Sequence, residues 1–356
     1  MLTNLAFAAL LIAQPPAPPD TREADAAEAK HLKNIRQVTF GFAKAGEGYF
    51  RPDGQGIIFQ AVPHTPESVF HQAKPNEEDY QIYAADLKPD AVPKLVSTGK
   101  GKCTCSFYHP DGKSILFASS HLDPSIVSGH AEPAGSKGPA YSRSGANYRW
   151  DFDQYMDIFK ANPDGSNLVR LTDTPGYDAE GSYSPDGKQI VFTSFRDGDA
   201  EIYIMDADGK NVRRITHSKG YDGGPFFSPD GKKILYRSDR KGNDLLQVYI
   251  NNTEGTAEKA LTANEFVNWG PFFHPDNRHI IYATSKHGHQ NYELYLMDVE
   301  TGSEERITFR EGFDGLPVFS PDGKKLMWTS SGRTLDKKSQ LFIADFEPGV
   351  KATASR

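Results

Sequence analysis

A short element repeated six times constrains this chain more than any other feature. An aromatic residue, one further residue and then Pro-Asp-Gly or Pro-Asp-Asn recur, with the prolines at 52, 110, 185, 229, 275 and 321. Proline presets φ and the closing glycine accepts a positive φ, so each copy reads as a tight turn between two strands. The prolines lie 58, 75, 44, 46 and 46 residues apart. The three short intervals match one four-stranded propeller blade of about 40–45 residues. In the unit from Pro225 to Thr262, Phe226-Phe227 is a first strand, Lys233 to Ser238 its return, Leu246 to Asn251 a third and Lys259 to Thr262 a fourth. Strands such as Ile202-Tyr203-Ile204-Met205 are apolar on both faces, which suits sheets sandwiched between neighbours.

Six small sheets cannot bury themselves singly, but a radial arrangement buries them all. The expected fold is therefore all-β, a six-bladed β-propeller over residues 35–346. The sixth unit ends at Gln340 to Phe346 without a fourth strand. The orphan segment 35–40 (IRQVTF) matches the fourth-strand pattern of Arg214-Ile215-Thr216 and Arg306-Ile307-Thr308. It is predicted to pair with 340–346 and close the ring; an open solenoid is the competing architecture and has no use for that strand. With 40 Lys+Arg against 47 Asp+Glu, the net charge of -7 disfavours a nucleic-acid partner. Two cysteines exclude a disulfide scaffold.

The chain ends read as additions to the ring. Leu5 to Ala13 is an apolar run too short to span a bilayer, and it fits the core of a secretory signal despite the absence of a preceding Lys or Arg. Residues 1–14 are expected to be a signal peptide, with a frayed cytosolic terminus as the alternative. Residues 15–34 read as a linker or short solvated helix, and 347–356 as a tail.

The run Ser228-Pro229-Asp230-Gly231-Lys232-Lys233-Ile234, then Gln247-Val248-Tyr249-Ile250 and a turn ending in Arg/Lys-x-Leu/Ile-Thr, resembles the WD40-like repeat of TolB-type propellers. The resemblance covers about 35–346. TolB proteins carry a further N-terminal α/β domain, and only about thirty residues precede the first strand here, so the likeness is to the propeller alone. It implies six blades and a cell-envelope location, and leaves the ligand undetermined.

Strand direction puts both long insertions, Val62 to Asp79 and His121 to Gln154, on one face, where binding residues usually concentrate. The second carries Tyr141, Arg143, Tyr148, Arg149, Trp150, Phe152 and Tyr155, a mix suited to a lid over a ligand, although a plain linker has the same length. Aligning the units places Ala45, Cys103, Asp178, Asp222, Asn268 and Asp314 at equivalent positions, expected to ring the channel mouth on that face. There they suit a cation, a sugar hydroxyl or a basic peptide; the alternative is that each Asp caps its own turn. Tyr177, Tyr221 and Phe313 beside them suit inter-blade packing or a stacking platform. Arg196, Arg240 and Lys286 align on the same face, either paired with the aspartates or holding an anionic ligand. His287 and His289 have metal-compatible spacing but no third ligand. Cys103 and Cys105 are expected to be free, on one side of a strand near the axis.

No nucleophile elbow, His-Glu-x-x-His helix, phosphate loop or dinucleotide fingerprint occurs. The expected function is a non-enzymatic binding scaffold, periplasmic or secreted. It would be monomeric, without a resident cofactor or membrane span, engaging a protein or peptide partner of the cell envelope through the long-loop face. The alternatives are a carbohydrate-active enzyme or lectin resembling oligogalacturonate lyases, which would use a divalent metal, and a peptidase accessory module acting in trans.

Overall fold

The repeated turn builds itself from its own side chains. At Ser184-Pro185-Asp186-Gly187, the Ser184 hydroxyl donates to Asp186 Oδ1 at 2.7 Å, and the same oxygen accepts the Lys188 N–H at 3.1 Å. Ser184 Oγ in turn accepts the Gln189 N–H at 3.0 Å, so side-chain oxygens satisfy the backbone donors on the way into the return strand. The copies at Ser228 and Ser320 make the same set of bonds.

A second repeated bond fixes the third strand to the fourth. Thr172, Thr216, Thr262 and Thr308 each accept, through the hydroxyl, the N–H of the first or second residue of the neighbouring third strand: Ile158, Ile202, Val248 and Leu294. Ser97 does the same for Ile82, and Thr39 for Leu341. In five of the six blades the fourth strand is only two or three residues long. The hydroxyl therefore replaces the ladder bond that a longer strand would supply.

The computed structural model describes residues 21–64, 79–128 and 152–348. They form six four-stranded antiparallel sheets, five from consecutive strands and one completed by the first strand of the chain. That strand, Leu32–Gln37, pairs with Gln340–Phe346, matching Leu32 to Phe346 and Gln37 to Phe342. The closure is the predicted one, with the strand displaced toward the N-terminus from 35–40. Gln37-Val38-Thr39 occupies the place of Arg214-Ile215-Thr216: the Val38 N–H donates to Leu341 O as Ile215 does to Ile202 O. The pairing then runs back to Leu32 because Phe346 extends the partner strand.

Residues 21–34 are accordingly not a linker outside the fold. The helix Arg22–Glu28 ends on a fully buried Glu28. Its carboxylate accepts Arg333 Nη2 at 2.6 Å and the Phe309 N–H at 2.8 Å, while Asp25 accepts Arg310 at 2.7 Å. The expected signal segment 1–14 and the last eight residues of the tail lie outside the described residues.

The second and third strands are buried on both faces in most blades, the third strand of blade 1 being half-buried over Tyr83 to Asp86, and the core is a ring of clusters between sheets. Val191, Ile202 and Ile204 of blade 3 meet Ile234, Tyr236 and Tyr249 of blade 4. Leu235 and Val248 of blade 4 meet Ile280 and Tyr282 of blade 5, and Ile281 and Leu294 of blade 5 meet Trp328 and Phe342 of blade 6. The cluster that spans the closure joins Met327 and Leu341 of blade 6 to Phe42, Ile57 and Phe59 of blade 1. No helix among the described residues is long and apolar enough to cross a membrane.

Candidate functional site

The innermost strand of every blade carries a bulge at the same height. Register shifts fall at Gly46/Gly48, Thr104/Phe107, Ala179/Ser182, Gly223/Phe226, Trp269/Phe272 and Gly315/Val318. One residue in each is left-handed: Glu47 (φ 44°), Cys105 (53°), Glu180 (58°), Gly224 (59°), Gly270 (57°) and Leu316 (50°). Four of these six are not glycine, and an L-residue held there costs roughly 1–2 kcal/mol. A bulge re-aims the side chain that follows it. All six residues border one cavity of about 490 Å³ on the axis, within the usual size range of ligand pockets.

The cavity is a cup on the long-loop face. Asp79 and Tyr80, at the end of the first insertion, and Met156, just after the second, stand on its wall. Its floor is an aromatic plug. Tyr49 lies 5.1 Å from Phe107, ring centroid to centroid, Phe107 lies 6.2 Å from Phe226, and Phe226 lies 5.0 Å from Phe272. Tyr49 also reaches Phe226 at 5.8 Å, so rings from blades 1, 2, 4 and 5 meet across the axis. Below the plug, a separate depression of about 410 Å³ opens on the Pro-Asp-Gly face, walled by the repeated aromatics and prolines.

One wall of the cup is a closed polar network. Glu180 accepts Arg237 Nη2 at 2.5 Å, the Tyr221 hydroxyl at 3.0 Å, the Thr193 hydroxyl at 2.7 Å and the Gly224 N–H at 2.8 Å. Arg237 also donates to the Tyr221 hydroxyl at 2.7 Å, and its guanidinium lies 5.7 Å from the Trp269 ring centroid. Gly224 is required twice: its φ is left-handed, and a Cβ there would collide with the Arg237 guanidinium.

Across the cup, Glu47 is differently placed. Its carboxylate accepts the Tyr49 hydroxyl at 3.2 Å and makes no ion pair within the described residues. Burial pushes its carboxyl up to about 7, with the Glu180 charge adding to the effect and Arg237 opposing it. The same surroundings raise the Cys105 thiol well above its ordinary range, by burial first and then by the charges of Glu47 and Glu180. Such a thiol stays protonated and unreactive.

The aspartates expected at the channel mouth are elsewhere. Asp178 and Asp222 are 1% exposed and bound within their own sheets, to Arg196 at 3.2 Å and to Arg240 at 3.1 Å. Asp314 accepts Trp328 Nε1 at 3.1 Å and faces Arg333 at 3.8 Å, while Asn268 donates to Gln247, Asn264 and the Phe266 carbonyl. None of the four borders the cup. The reason is the bulge: strict alternation from Asp178 would give residue 180 the same facing, but the left-handed step turns only the later residue to the axis. Arg196 and Arg240 therefore serve the aspartates, and Lys286 pairs with Glu304.

Tyr177 and Tyr221 do the packing job considered for them. Tyr177 packs edge-on against Phe152 at 5.0 Å and borders the cup; Tyr221 is fully buried behind the wall and donates its hydroxyl to Glu180. Phe152 also packs on Phe195 at 4.5 Å, which anchors the end of the second insertion to blade 3. Arg149 and Trp150, with Tyr141, Arg143 and Tyr148, lie outside the described residues. His287 is exposed and shares a 2.8 Å bond with the Tyr295 hydroxyl, and His289 is exposed. Among the described residues no three His, Cys, Asp or Glu side chains are grouped to hold a metal. Both cysteines are free, but the bulge separates their surroundings: Cys103 is buried with Sγ 3.2 Å from Ser119 Oγ, and Cys105 sits beside Glu47.

Sequence reasoning missed Glu47, Glu180 and Arg237. The signal was present in the aligned units, where the bulge position reads Glu, Cys, Glu, Gly, Gly, Leu. Glycine at two of six equivalent positions in an inner strand marks a left-handed residue rather than a regular one.

Comparison with known proteins agrees with this architecture. Residues 151–245 match the family described as Tricorn protease N-terminal beta propeller domain, and residues 245–355 match the TolB beta propeller domain. A stretch of 39 residues, 11% of this chain, is 51% identical to the Tol-Pal system protein TolB of Bordetella pertussis, and covers 9% of that relative's length. Among solved structures, a putative TolB from Agrobacterium tumefaciens superimposes with a TM-score of 0.58 at 20% identity, over 85% of this chain and 90% of that one. TolB from Acinetobacter baumannii gives 0.55 at 19%, over 87% and 78%. With its six four-stranded sheets, its repeated turns and these matches, the chain is a six-bladed β-propeller similar to those of TolB proteins.

Proposed function

We propose that this chain is an exported, periplasmic binding scaffold that receives a segment of a protein or peptide partner in the cup on its long-loop face. It acts as a monomer and without catalysis. The observation that carries this reading is the cup itself. A rigid ring holds it open, four rings close its floor, and its walls offer aromatic surface with a few fixed polar groups. Such a site grips a projecting side chain or chain terminus, which suits recognition of a partner. The likeness to TolB, whose name places it in a Tol-Pal system, supports an envelope partner.

The test is capture from envelope extracts with the tagged chain, paired with fractionation. Leu316→Trp fills the cup from a position that already borders it. The reading expects the chain in the periplasmic fraction and a captured protein that Leu316→Trp loses. Retention of that protein by a folded Leu316→Trp, or turnover of glycans or peptides by the purified chain, would count against it.

A further inference from the structure

The cup holds a carboxylate, Glu47, that makes no ion pair among the described residues. Glu180 is saturated by Arg237, Tyr221, Thr193 and Gly224. Arg237 Nη2 donates to both Glu180 and the Tyr221 hydroxyl, so the guanidinium charge is paired within the wall. Glu47 faces the same space with two neutral side-chain partners, the Tyr49 hydroxyl and the Cys105 thiol, held there by a left-handed backbone. Around it stand Tyr49, Tyr80, Tyr177 and Trp269, rings whose faces attract cations. The protein already uses the same chemistry nearby: Lys44 Nζ lies 4.7 Å from the Tyr80 ring centroid, and the Arg237 guanidinium lies against Trp269.

From this arrangement we infer that the cup is specific for an organic cation, an alkylammonium or guanidinium group, which seats its charge on Glu47 and its stem against the aromatic walls. The inference rests on the reading of this face as the binding face and names the chemistry it selects. The source is either a lysine or arginine of a partner chain or a free small amine; both present the same group. Binding is linked to protons. The groups facing Glu47 are Lys44, Tyr49, Asp79 and Tyr80 from blade 1, Lys102 and Cys105 from blade 2, Tyr177 and Glu180 from blade 3 and Arg237 from blade 4. Of these, Glu47 is the carboxyl raised into the neutral range. Below about pH 7 it is uncharged and offers no counter-ion. Above that it is ionised, so affinity for a cation rises with pH, by at most about tenfold per unit.

The experiment titrates the whole chain, by calorimetry and tryptophan fluorescence, with blocked Gly-Gly-X-Gly-Gly peptides and with n-butylamine. X is Lys, Arg, acetyl-lysine or Glu. The expected result is that the Lys and Arg peptides bind at least about tenfold tighter than the acetyl-lysine and Glu peptides at pH 8. Their affinity should fall by about tenfold between pH 8 and pH 6. Glu47→Gln should abolish both the preference and the pH dependence while still unfolding in one cooperative thermal transition, no lower than that of the parent. Butylamine binding as tightly as the Lys peptide supports a small amine as the source, and tighter peptide binding supports a partner chain. Equal affinity for lysine and acetyl-lysine overturns the inference. So does unchanged binding by Glu47→Gln, saturation by calcium without ammonium preference, or no binding up to about 10 mM. If Leu316→Trp loses the captured partner and Glu47→Gln keeps it, the cation inference fails and the binding face stands.

Discussion

At the scale of single residues, the blade depends on hydroxyls that stand in for missing strand. Thr216 is 2% exposed, and its oxygen is the acceptor for the Ile202 N–H. Thr216→Val keeps the shape and removes that acceptor, leaving a buried donor unpaired, a loss of about 1–3 kcal/mol in a urea titration. Thr216→Ser should recover most of it. Glu47 makes the opposite prediction. Its folded pKa of about 7 lies above the ordinary 4.5, so the folded chain holds this proton more tightly than the unfolded one. The contribution to stability is complete at low pH and is lost as pH rises through that window. Glu47→Gln should therefore match the parent below about pH 4 and exceed it by about 1–3 kcal/mol at pH 8. A parent equally stable relative to Glu47→Gln at both pH values would show that Glu47 is solvated rather than crowded.

At the scale of elements, the inner strands divide their residues between two tasks. Asp178 and Asp222 hold Arg196 and Arg240 inside the sheet, and the bulge two residues on serves the channel. Asp222→Ala should cost about 2–3 kcal/mol, because Arg240 then loses its buried carboxylate and keeps the half-buried Glu258, Ser238, Tyr236 and the Tyr249 ring. Partner binding should be retained. Gly224→Ala should do the reverse to the site: its methyl displaces Arg237 from Glu180, and capture should weaken. The turns and the Leu/Ile-Thr endings were readable because proline, glycine and threonine act locally, each within a few residues of its partner. The bulge was not, because alternation with period two assigns Asp178 and Glu180 one facing, and only the left-handed step at residue 180 separates them.

At the scale of the whole molecule, the ring is a closed set of sheets whose last member is built from both chain ends. Repeat spacing made the number of blades legible, and the orphan segment near residue 37 made the closure legible. The helix Arg22–Glu28 was less so, since its place depends on the distant Arg333 and Arg310. Removing residues 1–40 should leave blade 6 without its fourth strand and lower the urea midpoint markedly, with loss of cooperativity. The most direct test of the account places a photo-crosslinking residue at Lys44, on the cup, or at exposed Asp322, on the Pro-Asp-Gly face, and exposes each chain to the captured partner. Position 44 should give a crosslinked adduct and position 322 none. An adduct formed only from position 322 would contradict binding at the cup.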